Sequence, residues 1–408
     1  MPDVLTAPAP PLHPLKPLKT SYRIDSIDLL RGLVMIIMAL DHTRDFFHKD
    51  AWSDDPLNLA TTTPILYFTR WITHLCAPIF VFLAGSGAYF QSLRKNKKQL
   101  SLFLIKRGLW LFLIEIVVLG FAFSFDIHYS LFVLQTIWSI GMSMIVLGLM
   151  IWLPFRAIFV LGLIIVLGHN SLDFYEKNHP NTGLLYDLIH RPGQFPLWGH
   201  HALFIFYPFL PWSGLMMMGY CFGKFFLKFE GIERKKALLW LGFGVIAFFI
   251  VLRATNTYGD PGHWTTQKNS LFTFLSFMKV QKYPPSLLYM CATVGTGILF
   301  LAFAGNVKNG VTKFITVYGR VPFLYYILHF FLIHTLTMIF FLIRGHSFSE
   351  GVHPGAGGAP NFIIPGEGYS LSTVYIIWIC VVLSLYPVCR WFSEYKQAHR
   401  EKWWLSYL

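Results

Sequence analysis

Long apolar stretches alternate with short polar loops along the chain, and this pattern predicts an α-helical membrane protein. A helix needs about 20 predominantly apolar residues to cross the hydrocarbon core of a bilayer. Ten stretches approach or reach that length, and the fifth and seventh are the shortest. They cover residues 27–47, 65–91, 102–124, 131–153, 156–169, 202–223, 237–253, 286–305, 314–342 and 371–392. We therefore expect an all-α fold, a polytopic transmembrane helical bundle of about ten spans.

The charge of the loops predicts the orientation of these spans. Loops rich in lysine and arginine, such as 94–98, 224–236 and 390–402, alternate with loops that carry more aspartate and glutamate. Cytoplasmic loops of membrane proteins carry an excess of lysine and arginine. Both termini are therefore expected in the cytoplasm, and the end of the first span that carries His42 is expected to face outward.

The composition agrees with one membrane domain. Of the 408 residues, 55% are hydrophobic and only 13% are charged, whereas soluble domains have about 25% charged residues. No hydrophilic stretch is long enough to form a second core. We expect residues 1–22, which are rich in proline and lysine and lack the apolar core of a signal peptide, to be a disordered cytoplasmic segment. The membrane domain is expected over 23–395, with a cytoplasmic tail over 396–408.

The net charge of +13 does not indicate a nucleic-acid partner, because the basic residues lie in short loops between apolar spans, as a membrane topology requires. The expected partner is the lipid bilayer, and an oligomer is possible. The five cysteines lie in apolar spans without the spacing of a metal site, and no histidine pair has the i, i+4 spacing of a helical metal site. The sequence therefore predicts no metal.

The first span carries ionisable groups that are costly inside a membrane and by default mark a functional site. At about 100° per residue, Arg31 and His42 lie within about 20° of one helix face and about 16 Å apart along the axis. Asp28 and Asp45 fall within about 60° of this stripe, whereas Asp41 points to another side. His42 suits proton transfer near neutral pH, and Asp41 or Asp45 could fix the tautomer of its ring. Arg31 is expected to pair with Asp28.

Other polar residues in or near apolar spans are further candidates for the site. They are His48, His74, Lys282, Tyr283, Arg320 and His329. Each of them alone is as typical of a satisfied internal polar group as of a ligand. A proton-coupled small-molecule transporter that uses Asp28, Arg31 and His42 as a relay is an alternative to an enzyme.

Several of these motifs resemble known membrane acyltransferases. Arg31 and His42, with ten residues between them, resemble the R-X10-H signature of enzymes that O-acylate surface polysaccharides. The segments 26–32, 41–45, 78–85, 282–286 and 319–322 together are more similar to bacterial membrane proteins related to the catalytic domain of heparan-α-glucosaminide N-acetyltransferase.

This resemblance implies an acyl-CoA-dependent acetyltransferase in the bacterial cytoplasmic (inner) membrane. Acetyl-CoA would be the donor substrate on the cytoplasmic side, with no permanently bound cofactor, and an amino sugar or glycan on the outer face would be the acceptor. For such an enzyme, the candidates for binding the substrates are Asp28, Arg31, His74, Lys282, Tyr283, Arg320 and His329. N- and O-acylation stay open.

The two resemblances nominate different histidines for catalysis. The R-X10-H pattern selects His42. The lysosomal enzyme instead has its active histidine in a Lys-His-Ala-Ser-Trp stretch, of which His48, followed by Lys49 and by Ala51-Trp52, is a loose equivalent. We prefer His42 because of its place in the membrane and its neighbouring carboxylates, with His48 as the second choice. Whether the histidine acts as a base or as a covalent acyl carrier stays open.

Overall fold

The computed structural model describes residues 24–305, 308–352, 359–399 and 401–406. The predicted disordered segment 1–22 lies outside the described residues, as do positions 400, 407 and 408 of the predicted tail. The helices are α1 (Asp25–Phe47), α2 (Pro64–Ile72), α3 (Cys76–Ser92), α4 (Lys97–Ile114), α5 (Gly120–Ser124), α6 (Thr136–Met150), α7 (Phe155–Gly168), α8 (Leu172–Asn178), α9 (Leu184–Ile189), α10 (Phe209–Lys228), α11 (Gly231–Thr255), α12 (Ser270–Met278), α13 (Leu287–Phe303), α14 (Gly310–Arg320), α15 (Pro322–Ile343), α16 (Phe348–Gly351) and α17 (Leu371–Ala398).

Helix α1 begins and ends where its charges favour a helix. Asp25 and Asp28 lie in its first turn and Arg44 in its last, where each charge opposes the partial charge of the helix end. The intervening residues are mostly buried, because α1 packs against α3, α14, α15 and α17. The helix with the predicted polar stripe is therefore a central helix of the bundle.

Glycines set the closest helix contacts. A Cβ added at Gly319 of α14 would lie 1.8 Å from the Asp28 carbonyl oxygen of α1. Likewise, a Cβ at Gly85 of α3 would lie 2.1 Å from the Met216 carbonyl oxygen of α10. Small residues allow backbones to approach closely where lipid leaves no hydrophobic force between helices. These contacts fix α1 against α14, and α3 against α10.

A small sheet interrupts the helical pattern. It consists of β1 (Leu131–Leu134), β2 (Gly193–Pro196) and β3 (Ala202–Ile205), in the order β1-β3-β2. Strands β1 and β3 are parallel, with Leu131 opposite Ala202, and β2 and β3 are antiparallel. The sequence did not predict this sheet, because the apolar residues of β1 run on into the apolar residues of α6.

The described helices support the predicted membrane fold in part. Each of the ten predicted stretches overlaps one helix or consecutive helices, and the fourth and sixth begin with the strands β1 and β3. Five segments of the described chain are long and apolar enough to cross a membrane, namely Pro64–Ser92, Phe155–Asn178, Gly231–Thr255, Pro322–Ile343 and Leu371–Ala398. The all-α class is confirmed, with the small sheet as an addition. The total of ten spans and the cytoplasmic position of the termini stay predictions.

Candidate functional site

A large cavity of about 830 Å³ extends along α1. Arg31 and Asp45 of α1 both line it, and the 14 residues between these positions correspond to about 21 Å of helix. The volume lies within the roughly 300–1,000 Å³ of small-molecule sites. Its other polar lining residues include Asp41, His42, Arg44, Trp52, Asp54, Asp55, Arg70, Gln91, Arg107, Gln135, Gln194, Lys282, Tyr283, Arg320, Tyr326 and Lys396. The cavity thus joins residues from both ends of α1.

Asp41 is at the centre of a charge cluster that lines the cavity. Arg70 of α2 donates to both of its carboxylate oxygens, at 2.6 and 2.5 Å. Arg44 donates to Asp41 at 3.0 Å and to Asp45 at 2.6 Å, and the Lys282 ammonium lies 3.8 Å from Asp41. We define this set of two carboxylates and three cations as the Asp41 cluster. With all five groups ionised, its net charge is +1.

The angle between Asp41 and the stripe of Arg31 and His42 does not remove Asp41 from the cavity lining. Asp41 and His42 both line the cavity, although successive helix residues differ by about 100°. The cavity therefore covers an arc of α1 at least that wide, so residues from more than one face of the helix line it. Arg44 and Arg70 also belong to the site, because both line the cavity and donate to Asp41. The sequence analysis did not nominate them.

His42 lines the cavity and packs against α15. Its ring centroid lies 4.2 Å from that of Phe330 and 5.2 Å from that of His329. His329 is fully buried, and its Nδ1 lies 3.0 Å from the Tyr325 carbonyl oxygen. Since a carbonyl only accepts, this Nδ1 carries the proton, and the buried Nε2 is a lone pair without a hydrogen-bond partner among the described residues. The structure thus places a second, unprotonated imidazole nitrogen next to the candidate base.

His48 is placed differently. It follows α1 as its C-cap residue, and its segment pairs with the backbone at Tyr369. Its Nδ1 accepts from the Asp50 backbone N–H at 3.3 Å. It does not line the cavity in the described chain. Burial lowers the pKa of His48, and the nearby Asp50 offsets this only in part. This geometry gives His48 a local structural role and leaves His42 as the histidine that faces the cavity.

The beginning of α1 supplies a basic end to the cavity. Arg31 Nη1 donates to Asp28 at 3.2 Å, the predicted pair, and to the Gly319 carbonyl oxygen at 3.3 Å. The contact with Gly319 brings Arg31 close to Arg320, which also lines the cavity. Arg107 and Lys396 add two more basic lining residues that the sequence analysis did not nominate. Arg31 and Arg320 therefore make this end of the cavity basic.

The segment between α12 and α13 brings Lys282 and Tyr283 into the cavity, and a buried clamp holds it there. Arg253 is 2% exposed and donates to four backbone carbonyls, including Phe277 at 2.9 Å and Lys279 at 2.6 Å. Asp260 accepts from the Gln281 backbone N–H at 2.8 Å and from the Ser286 hydroxyl at 2.7 Å. Burial raises the pKa of Asp260 despite these bonds and the neighbouring Arg253.

Tyr283 and His74 have different places around the Asp41 cluster. The Tyr207 hydroxyl lies 3.4 Å from the Tyr283 hydroxyl. Burial alone would raise the pKa of Tyr283, but Lys282 and Arg70 outweigh burial, so this pKa is lowered. His74 is 1% exposed and packs against Tyr289, with a ring centroid distance of 5.3 Å. In the described chain, His74 is not among the residues that line the cavity.

The far end of the cavity follows the last turn of α1. Trp52 lines it together with Asp54 and Asp55. The Trp52 indole N–H donates to the Asp45 carbonyl oxygen at 2.8 Å, and its φ of 64° is in the left-handed region, which is uncommon for a bulky residue. This end is acidic and aromatic, in contrast to the basic end near Arg31.

A comparison with protein families supports the resemblance seen in the sequence. Residues 23–253 match the model of the heparan-alpha-glucosaminide N-acetyltransferase catalytic family. The chain belongs to this family. The match covers α1 to α11, and so includes Asp28, Arg31, Asp41, His42 and Arg70. A search of curated proteins found no match. The family and the apolar helices together make the chain a membrane protein of the transmembrane acetyltransferase type.

Proposed function

We propose that this protein transfers an acetyl group from acetyl-CoA to an amino sugar or glycan through the cavity along α1. The observation that carries the proposal is a single cavity with a basic end, a central His42 and an acidic, aromatic end. A long donor with phosphates at one end and a thioester at the other suits such a cavity, because its reactive carbon can reach the centre while its phosphates stay at the mouth.

The basic end is the proposed donor site. Arg31 and Arg320 line it, and arginine in particular binds phosphate through paired N–H groups. Helices α1, α14 and α17 bring their basic residues to the same side, since Trp378 of α17 contacts Ile36 and Tyr318 of α14 contacts Val382. By the alternation of loop charge this side faces the cytoplasm, where acetyl-CoA is made.

His42 is the proposed general base. It takes a proton from the acceptor's amine or hydroxyl as that atom forms a bond to the thioester carbonyl carbon. The carbon–sulfur bond then breaks, and the thiolate of CoA leaves with the proton from His42.

The Asp41 cluster would stabilise negative charge during the transfer. Its three cations against two carboxylates give a net positive charge beside His42. Negative charge develops first on the carbonyl oxygen and then on the leaving sulfur. Fixed cations in a cavity shielded from bulk water act on such charge more strongly than they would in water. Asp41 holds Arg70 and Lys282 in place for this purpose.

The proposed acceptor enters from the end at Trp52. An indole face with neighbouring carboxylates suits a sugar ring that carries an amine or hydroxyls. In the proposed orientation this end faces outward in the bacterial inner membrane, so that the acetyl group crosses the bilayer while the sugar does not.

The test is a transfer assay with the purified protein in proteoliposomes. Labelled acetyl-CoA is supplied with glucosamine, and N-acetylglucosamine is measured by mass spectrometry. The proposal predicts product that depends on protein and donor. Proton-coupled uptake of a small molecule without transfer from any acyl-CoA would instead support the transporter alternative and contradict the proposal.

A further inference from the structure

A second polar cluster lies outside the cavity, where α7, α8 and α9 meet. Asp173 and Glu176 are one helical turn apart on α8, and His190 follows α9. Their ligand atoms, one from each residue, all lie within 4.8 Å of one another. His190 is fully buried, and the two carboxylates are partly buried. The proposed acetyl transfer uses none of these three residues.

The charges of this cluster are not balanced by basic side chains. Among the residues that the structure describes, neither Asp173 nor Glu176 has a lysine or arginine within ion-pair distance. Glu176 contacts His190, whose Nδ1 lies 2.6 Å from its carboxylate. Burying carboxylates without a cation is costly, and a divalent ion would supply the missing positive charge.

The surroundings of the cluster also have the form of a metal site. His190 Nε2 lies 3.2 Å from Nδ1 of His169, which is 3% exposed. Metal-binding histidines almost always use their second ring nitrogen in such an outer hydrogen bond. Asp173 is fixed in the same way, since Asn170 donates to one of its oxygens at 2.7 Å. Two of the three candidate ligands are therefore held in position by neighbouring side chains.

We propose that Asp173, Glu176 and His190 bind a structural zinc ion. Histidine nitrogen and carboxylate oxygen are both zinc ligands, and a water molecule would complete the fourth position. Zinc bonds of about 2.0–2.2 Å would gather these atoms around one centre, and His190 would exchange its hydrogen bond to Glu176 for the bond to the metal. The site could not be predicted from the sequence, because His190 comes 14 residues after Glu176 in the chain, a spacing that no helical motif has.

The zinc ion would connect the α8–α9 region to the remainder of the bundle. The side-chain Oδ1 of Asn170 accepts from the backbone N–H of Leu287, the first residue of α13, at 2.8 Å. The same Asn170 side chain holds Asp173. Metal binding would thus stabilise the start of α13, which directly follows the segment that carries Lys282 and Tyr283.

The test measures metal content and stability, not activity, in the purified full-length protein. Elemental analysis should find about one zinc per chain. A chelator should lower the melting temperature, and added zinc should restore it. Asp173→Asn and Glu176→Gln keep the side-chain shapes and should each lower zinc occupancy at least about tenfold, since loss of an outer partner alone costs about 10–100-fold in affinity.

Asp187→Asn is the matched control. Asp187 is a buried acid of α9 whose carboxylate accepts from the Thr182 hydroxyl and which is not part of the cluster. This variant should retain its zinc. A protein that binds no zinc at micromolar concentration, or that retains it equally in Asp173→Asn and Glu176→Gln, would overturn the proposal. Neither result bears on acetyl transfer, which is measured separately.

Discussion

The contact between α1 and α14 provides a direct test of how the donor end is assembled. In Gly319→Ala, the new methyl group would lie 1.8 Å from the Asp28 carbonyl oxygen, against an ordinary contact of 3.4 Å or more. The helices must then separate by about 1.6 Å, the difference between these two distances. Overpacking of this kind costs about 1–3 kcal/mol. The three atoms nearest to the methyl group are the carbonyl oxygen and carbon of Asp28 and the nitrogen of Gly32. All are backbone atoms that cannot rotate away, so the upper end of that range applies.

The intrinsic helix preference works in the opposite direction. Replacing a helical glycine by alanine stabilises a helix by about 1 kcal/mol, so we expect Gly319→Ala to lose about 2 kcal/mol overall. In the unmodified protein the Gly319 carbonyl oxygen lies 3.3 Å from Arg31 Nη1. The separation would increase this distance and should weaken donor binding. Thermal unfolding in detergent and calorimetry with acetyl-CoA measure the two effects.

Gly244→Ala is the matched control, because Gly244 lies inside α11 with no atom within 4 Å of an added Cβ. It should be neutral or slightly stabilising and should bind the donor normally. If Gly319→Ala is as stable as Gly244→Ala and binds acetyl-CoA as the unmodified protein does, the packing argument is refuted.

Three further variants test other parts of the site. Asp41→Asn leaves three cations with one carboxylate. Breaking a buried ion pair costs about 3–5 kcal/mol, so we expect a clear loss of stability in thermal unfolding. An unchanged melting temperature would show that the Asp41 cluster does not stabilise the fold. Arg31→Lys keeps the charge but loses the planar fork, so calorimetry should show weaker acetyl-CoA binding with normal insertion. Arg253→Lys cannot satisfy four carbonyls, and limited proteolysis should show faster cleavage near Lys282; equal cleavage would argue against the clamp.

The sequence predicted the parts of the site that depend on local helix geometry. Asp28 and Arg31 are three residues apart, which places them on neighbouring positions of one helix, and they pair as expected. The positions of the apolar helices could also be predicted, because hydropathy is a property of consecutive residues. The seventh stretch was predicted as 237–253, whereas α11 runs from Gly231 to Thr255, because basic residues at its start were assigned to the loop.

Contacts between distant segments could not be predicted in this way. Arg70 is 29 residues from Asp41, and nothing in its own neighbourhood distinguishes it from a basic residue at a helix end. Glu115 is a similar case: it lies in a π-helical segment and accepts from the backbone N–H groups of Gln135 and Trp138 at the start of α6. This contact joins the middle of the third predicted span to the fourth, and it depends on tertiary packing.

The central claim is that His42 performs the transfer. The direct measurement compares His42→Ala with His48→Ala, at matched expression and melting temperature, for transfer of labelled acetyl from acetyl-CoA to the acceptor. His42→Ala should reduce the rate by at least about 10²–10⁴-fold, the usual effect of losing a general base. His48→Ala should retain most of it, since His48 does not line the cavity in the described chain. An inactive His48→Ala beside an active His42→Ala would contradict the account and assign catalysis to His48.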